Sequence, residues 1–209
     1  MIAISGLYAV TPDLADTALL LKRVQAAMAG GVRLLQYRNK TAPENLRRTQ
    51  AAAMRDLSRR HGAALIINDD VELAREIDAD GAHVGGEDLS VAAARAVLGG
   101  GKIIGASCYN DLVRARAAVV QGADYVAFGS FFASSVKPAA VRAALPILQT
   151  ARRQLGLPVV AIGGITLANA GALIRAGADA VAVLSAVFAA PDIENAAREF
   201  CQLFQVKTS

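Results

Sequence analysis

The sequence predicts a single α/β domain folded as a closed (β/α)8 barrel of the TIM type. Three observations carry this expectation. Short, near-continuous apolar runs alternate eight times with longer amphipathic or Ala-rich stretches, the pattern of parallel strands covered by helices. A chain of 209 residues is long enough for one good core but short for two domains. The rival for this alternation is an open doubly wound sheet. No Gly-x-Gly-x-x-Gly follows the first apolar run, and no Walker pattern occurs anywhere in the chain.

In chain order the strands are read at Ile4–Val10, Arg33–Arg38, Ala64–Asn68, Ala82–Val84, Lys102–Ala106, Tyr125–Gly129, Pro158–Ile162 and Ala180–Leu184. Helices open near Asp16, Pro43, Val71, Ser90, Asp111, Ala139, Leu167 and Pro191. A Gly-Ala step after a helix recurs at Gly81-Ala82, Gly122-Ala123-Asp124 and Gly177-Ala178-Asp179, which reads as a repeated helix stop and strand re-entry. The domain is expected to span residues 1–209, with a flexible tail from about residue 204.

Composition narrows the function. Apolar residues make up 54% and charged ones 19%, as in a well-buried globular protein. Aromatics are only 5%, too few for a base-stacking surface, and the net charge of +4 is spread over amphipathic faces. No nucleic-acid partner is therefore expected. No apolar run approaches the length of a bilayer span, and the opening MIAISGLYAV has no basic leader. The two cysteines, Cys108 and Cys201, are far apart and lack metal-type spacing, which fits a reducing compartment.

Barrels of this kind work at the carboxyl ends of their strands. The second strand ends in Gln36, Arg38 and Lys40, which alternate with Tyr37 and Asn39 and so share the face of Leu34. The third ends in Asn68, Asp69 and Asp70; the fourth leads into Glu87 and Asp88. The fifth ends in Ser107, the sixth runs into Ser134, Ser135 and Lys137, the seventh ends in Gly163-Gly164 and the eighth in Ser185. A full ring of polar endings on apolar strands points to a catalytic mouth.

Three patches follow. Asp69 and Asp88 have the chemistry to hold a hard divalent cation such as Mg²⁺, though either aspartate, and Asp70 above all, also suits a helix N-cap. Arg38, Lys40 and Lys137 form a candidate diphosphate clamp. Gly164 and Ser185 stand where such barrels bind phosphate through backbone N–H groups; a simple tight turn at Gly163-Gly164 is the alternative. His83 reads as a packed, hydrogen-bonded residue and His61 as a helix C-cap. Cys108 has no evident base partner, and no serine–histidine–acid triad is visible.

The segments GLYAVT, LLQYRNK, LIINDD, GAHVGGEDL, IIGASCYN, FGSFFASSVKP, VVAIGGI and VAVLSAVF resemble, in order, the motifs of the thiamine-phosphate synthase family, from Gly6 to about Phe188. The family shares its superfamily with the thiazole tautomerases. The resemblance implies a β/α-barrel transferase that joins a hydroxymethylpyrimidine diphosphate to a thiazole phosphate, or its carboxylated form, giving thiamine phosphate and pyrophosphate. By matching motif, Gln36, Arg38, Lys40, Asn68 and Lys137 would engage the pyrimidine diphosphate, and Asp69 and Asp88 would ligate Mg²⁺. Ser107 would lie against the pyrimidine, while Ser134, Gly164, Leu184 and Ser185 would surround the thiazole phosphate. Arg38, Lys137 and Asp69 would carry the catalytic electrostatics of a dissociative reaction that needs no protein nucleophile. A cytoplasmic homodimer is implied as well.

The chain departs from the family pattern twice: Val136 stands where a threonine is usual, and Gly86 where a glutamine is usual. Two other readings share the fold. One is a tautomerase-like isomerase, whose histidine after the fifth strand is here Tyr109; the other is a non-catalytic ligand-binding barrel. The segment FFASSV is the expected mobile cover of the site.

Overall fold

In a computed structural model that describes residues 3–86, 88–133 and 142–205, eight parallel strands close into a barrel in chain order. The elements are β1 (Gly6–Val10), α1 (Thr17–Ala29), β2 (Leu34–Tyr37), α2 (Glu44–Arg60), β3 (Ala64–Asn68), α3 (Val71–Glu76), β4 (Gly81–Val84) and α4 (Val91–Leu98). They continue as β5 (Ile103–Tyr109), α5 (Leu112–Val120), β6 (Tyr125–Phe128), α6 (Pro146–Leu155), β7 (Val159–Ile162), α7 (Leu167–Arg175), β8 (Ala180–Val183), α8 (Ser185–Phe188) and α9 (Ile193–Gln205). Strand β1 pairs with both β2 and β8, so no sheet edge is left open. Among the described residues no helix is long and apolar enough to cross a membrane.

The helix starts follow from local chemistry. Asp16, Asp70, Ser90 and Asp111 each accept a hydrogen bond from a backbone N–H of the following first turn, using donors that a helix cannot satisfy itself. His61 caps the end of α2. Most boundaries fall within two residues of the sequence reading, and three differences are larger. Strand β5 runs on to Tyr109, so Ser107 lies within it. The short α8 begins at Ser185 directly after β8. Ala139, where a helix start is expected, lies outside the described residues, and α6 begins at Pro146. Helix α9 includes residues 204 and 205, while the rest of the expected tail lies outside the described residues.

Strand alternation sorts the core into two layers. Leu35, Tyr37, Leu65 and Ile67 point outward and pack under the helices with Leu20, Val24 and Met54. Tyr8, Leu34, Ile66, Tyr125 and Val160 point inward and fill the barrel together with small Ala64, Ala127, Ala180 and Ala182. Gln36 and His83 are buried among them.

The amino ends of the strands are tied by a repeat. Asp80, Asp124 and Asp179 immediately precede or stand at the entry of β4, β6 and β8. Their carboxylates accept from the N–H of Leu65, Ile104 and Val159 on the preceding strands, at 2.8, 2.7 and 2.9 Å. Each also pairs with an arginine of a helix: Arg55, Arg95 and Arg152. The alanine before each aspartate returns its N–H to the end of the preceding helix, at Ala74, Ala118 and Leu173. The repeat is therefore Ala79-Asp80, Ala123-Asp124 and Ala178-Asp179. This corrects the Gly81-Ala82 assignment: Gly81 is already the first residue of β4, and an added Cβ there would lie 1.9 Å from the Ile103 carbonyl oxygen.

Replacing Asp80 by alanine leaves the Leu65 N–H and the largely buried Arg55 guanidinium without this acceptor. We expect a loss of about 3 kcal/mol in stability, read as a lower urea midpoint, with turnover per folded molecule unchanged because this end faces away from the mouth.

Candidate active site

Among the described residues, the polar strand endings gather at one end of the barrel. On β2, Gln36 points inward: its Nε2 donates to the Tyr8 hydroxyl at 2.9 Å. Tyr37 and Asn39 turn outward, and both donate to the Gln50 side-chain oxygen on α2 at 2.9 Å. Two residues sharing one acceptor pin the end of β2 to α2, which holds the intervening Arg38 and the following Lys40 at the mouth. Thr11 completes the anchor: its hydroxyl accepts from the Arg38 N–H and donates to the Arg38 carbonyl, each at 2.9 Å.

Both cations of this segment already face carboxylates. Arg38 Nη1 lies 3.0 and 3.2 Å from the two oxygens of Asp13, and Asp13 also accepts from the Lys40 N–H at 3.0 Å. Lys40 Nζ lies 2.9 Å from Asp69 Oδ2. Sequence reasoning misses Asp13. Its signal is present, since the first strand closes in TPD, a polar ending like those of the other seven.

Asp69 adopts a left-handed backbone (φ 65°), uncommon for a residue with a side chain, and its N–H donates to the His83 carbonyl at 2.8 Å. The turn brings its carboxyl to that of Asp88, and the two share a hydrogen bond. Burial pushes Asp69 up, but the Lys40 ammonium and the Asp88 hydrogen bond outweigh it and hold Asp69 below the usual carboxylate range. Partial dehydration and then Asp69 itself push Asp88 up, against the donor from the Gly85 N–H at 2.7 Å. The crowding of like charges thus leaves Asp69 the more acidic of the two carboxyls and opposes charge on Asp88. Ser90, not Asp88, caps α4. Asp70 is the cap of α3, accepting from the Leu73 N–H at 2.9 Å.

Lys40, Asn68 and Asp69 line a cavity of about 510 Å³ with Asn39, Arg47 and Asp70. Ser107 lies deeper, its Oγ 2.8 Å from His83 Nε2. Half a ring away, Gly163 and Gly164 both take positive φ, 103° and 63°. An added Cβ would come 2.0 Å from Ser130 Oγ at Gly163 and 2.3 Å from the Ala133 carbonyl oxygen at Gly164. The glycines are therefore required by close approach of the segment after β6 as well as by the turn. Leu184 packs against the barrel interior and Ser185, exposed, opens α8 beside them. Ser134 and Lys137, with the Val136 departure and the end of the FFASSV segment, lie outside the described residues.

The Gly86 departure has a steric counterpart. A Cβ at Gly86 would come 2.2 Å from Arg114 Nη1. That guanidinium stacks 5.3 Å from the Tyr109 ring centroid, and Tyr109 Oη accepts from the Gly86 N–H at 3.2 Å. Cys108 is buried, and burial pushes its thiol up to about 12, which suits packing rather than attack. Among the described residues no group of three or more His, Cys, Asp or Glu could hold a metal ion. The two carboxyls of Asp69 and Asp88 offer the oxygen donors of a site that takes its other ligands from substrate and water.

His83 is held neutral. Burial lowers it from 6.5 to about 4, against the opposing field of Asp69. A histidine depressed in the fold contributes stability that is complete above the unfolded value and is lost as the pH falls from 6.5 toward 4. The loss amounts to at most about 3 kcal/mol. Urea midpoints measured across that window should fall less steeply for His83→Asn than for the parent chain, whatever the variant's absolute stability.

Comparison with known proteins agrees along the whole fold. The family model for thiamine monophosphate synthase matches residues 7–187. A thiamine-phosphate synthase of Methylobacillus flagellatus is 58% identical over 201 residues, covering 96% of each chain. One of Thiobacillus denitrificans is 54% identical, covering 95% of this chain and 94% of its own. A solved thiamine phosphate pyrophosphorylase from Pyrococcus furiosus superposes with a TM-score of 0.86 at 33% identity, covering 98% of this chain and 97% of that one. With these matches on a closed eight-stranded barrel, the chain belongs to the thiamine monophosphate synthase family.

Proposed function

We propose that this barrel is a transferase that makes thiamine phosphate by joining an aminopyrimidine methyl diphosphate to a thiazole phosphate, with release of pyrophosphate. The observation that carries this reading is the juxtaposition of Asp69, Asp88 and Lys40 beside Arg38, all at the mouth under which Gln36 and Ser107 lie. Relatives named thiamine-phosphate synthase, more than half identical over nearly the whole chain, support it.

In this reading Asp69 and Asp88 would hold Mg²⁺, with Arg38, Lys40, Asn68 and Lys137 on the diphosphate. The ion, when bound, neutralises charge that grows on the departing pyrophosphate. Arg38 is a fork suited to two phosphate oxygens, and Lys40 a mobile charge; each now rests on a carboxylate that a diphosphate can replace. Gln36 and Ser107 orient the pyrimidine. Gly164, Leu184 and Ser185, with Ser134, receive the thiazole phosphate, where backbone donors hold it without titratable groups. Dissociation of the diphosphate leaves a pyrimidine methylene cation, which the thiazole nitrogen attacks. The protein's work is then alignment, charge stabilisation and exclusion of water. Tyr109, not an imidazole, ends β5, which favours this reaction over a tautomerase. A cytoplasmic homodimer belongs to the same reading.

Pyrophosphate release should require both substrates and Mg²⁺, yield thiamine phosphate, and fall at least about 100-fold in Asp69→Ala. No release from the folded parent chain would sink the assignment. Undiminished release in the presence of a chelator would exclude Asp69 and Asp88 as ligands of a metal needed for turnover.

A further inference from the structure

Five polar side chains cross the barrel interior in one unbroken run beneath the mouth. Gln36 Nε2 lies 2.9 Å from Tyr8 Oη, and Tyr8 Oη 2.8 Å from Tyr125 Oη. Tyr125 Oη lies 2.9 Å from His83 Nδ1, and His83 Nε2 2.8 Å from Ser107 Oγ. Tyr8, Tyr125, Gln36 and His83 are all buried. Burial pushes both phenols up, so each keeps its proton. The pattern is built into the strands: His83, Gly105 and Tyr125 stand side by side on β4, β5 and β6. A Cβ at Gly105 would lie 2.0 Å from Tyr125 Cζ, so only glycine lets that ring pass over β5 to stack on His83 at 5.6 Å.

Counting protons orients the run. Gln36 Nε2 donates to Tyr8, so the Tyr8 proton goes to Tyr125, the other partner of its hydroxyl among the described residues. The Tyr125 proton then goes to His83 Nδ1, which places the imidazole proton on Nε2, directed at Ser107 Oγ. Ser107 accepts that bond and has its own proton left for the site. At the other end, Gln36 has its carbonyl oxygen left.

We infer that Tyr8, Tyr125 and His83 are positioning residues of a one-way hydrogen-bond relay. The relay makes Gln36 present an acceptor and Ser107 a donor to the bound heterocycle, selecting an amino-substituted ring nitrogen base over its oxo counterpart. The inference rests on the reading that Gln36 and Ser107 engage the pyrimidine. An amino group donates to Gln36 Oε1 while a ring nitrogen accepts from Ser107. In the oxo form a carbonyl replaces the amino group and meets the Gln36 acceptor, so that contact is lost. A surface serine and glutamine would rotate to suit either ring. Here the buried run removes that freedom, because reversing one member leaves a neighbour unpaired.

The test compares binding of the amino and oxo pyrimidine diphosphates by calorimetry in the parent chain, Tyr8→Phe and Tyr125→Phe, alongside ¹⁵N spectra of the His83 ring. The parent should show a single neutral form protonated at Nε2, with Nδ1 at the position of a hydrogen-bond acceptor. In Tyr125→Phe the Nδ1 resonance should move to its unbonded position; in Tyr8→Phe it should stay. Either variant should lower the preference for the amino form at least about tenfold, with thiazole phosphate binding unchanged. A proton on Nδ1 in the parent overturns the relay, as does unchanged preference in both variants. If neither diphosphate binds the parent, the functional reading itself falls, an outcome separate from the spectra of the protein alone.

Discussion

The closure of eight parallel strands into a ring is the constraint from which the other features follow. A closed ring has no edge, so each strand must satisfy two neighbours and each inward side chain must share one small interior. Large residues are admissible only beside small ones. Tyr8 and Tyr125 meet at 5.9 Å, nearly perpendicular, in an interior where Ala64, Ala127, Ala180 and Ala182 leave room beside Leu34, Ile66 and Val160. Gly105 is the extreme case, a position emptied so that one ring can cross it. Closure also divides labour between the ends. Asp80, Asp124 and Asp179 stitch strands to helices at the amino end, leaving the carboxyl end free to carry charges that do nothing for folding.

Those charges are arranged in mutual compensation. Asp13 neutralises Arg38, Lys40 neutralises Asp69, and Asp88 is hydrogen-bonded to Asp69. Each contact is partly exposed, so none contributes much to stability. What they provide is a set of cations and carboxylates held within reach of one another by firmly packed strand ends. In the proposed reaction a diphosphate and a divalent cation would exchange with internal partners of the same sign. The glycine pair after β7 serves the other side of the mouth by a different means, bringing backbone rather than charge close to the segment after β6.

Family membership and local geometry support each other at different levels. The family match extends over residues 7–187 and speaks for the reaction class. The interior hydrogen-bond run speaks for a property that a reaction class does not include, the direction in which the site's donors point. The Gly86 departure shows the same interplay on the surface, where Arg114 and Tyr109 occupy the space a side chain at position 86 would need.

By itself the sequence determined the alternation of elements, the helix caps and the ring of polar strand endings, because each depends on neighbours a few residues apart. The apolar runs had to be strands, Asp16, Asp70 and Asp111 had to find N–H groups, and Gln36 had to share a face with Leu34. His83 was legible as a packed residue from its apolar flanks alone. Only the tertiary structure decided the contacts made across the barrel. The pairing of Asp13 with Arg38, 25 residues apart, the contact between the Asp69 and Asp88 carboxyls, and the meeting of Tyr8 with Tyr125, 117 residues apart, all depend on closure. The extension of β5 past Ser107 and the true Ala-Asp repeat were settled the same way, by register against β6 and by which N–H each aspartate reached. No spacing rule encodes these contacts, since a side chain's partner across a closed ring is chosen by strand register and by the volume its neighbours leave.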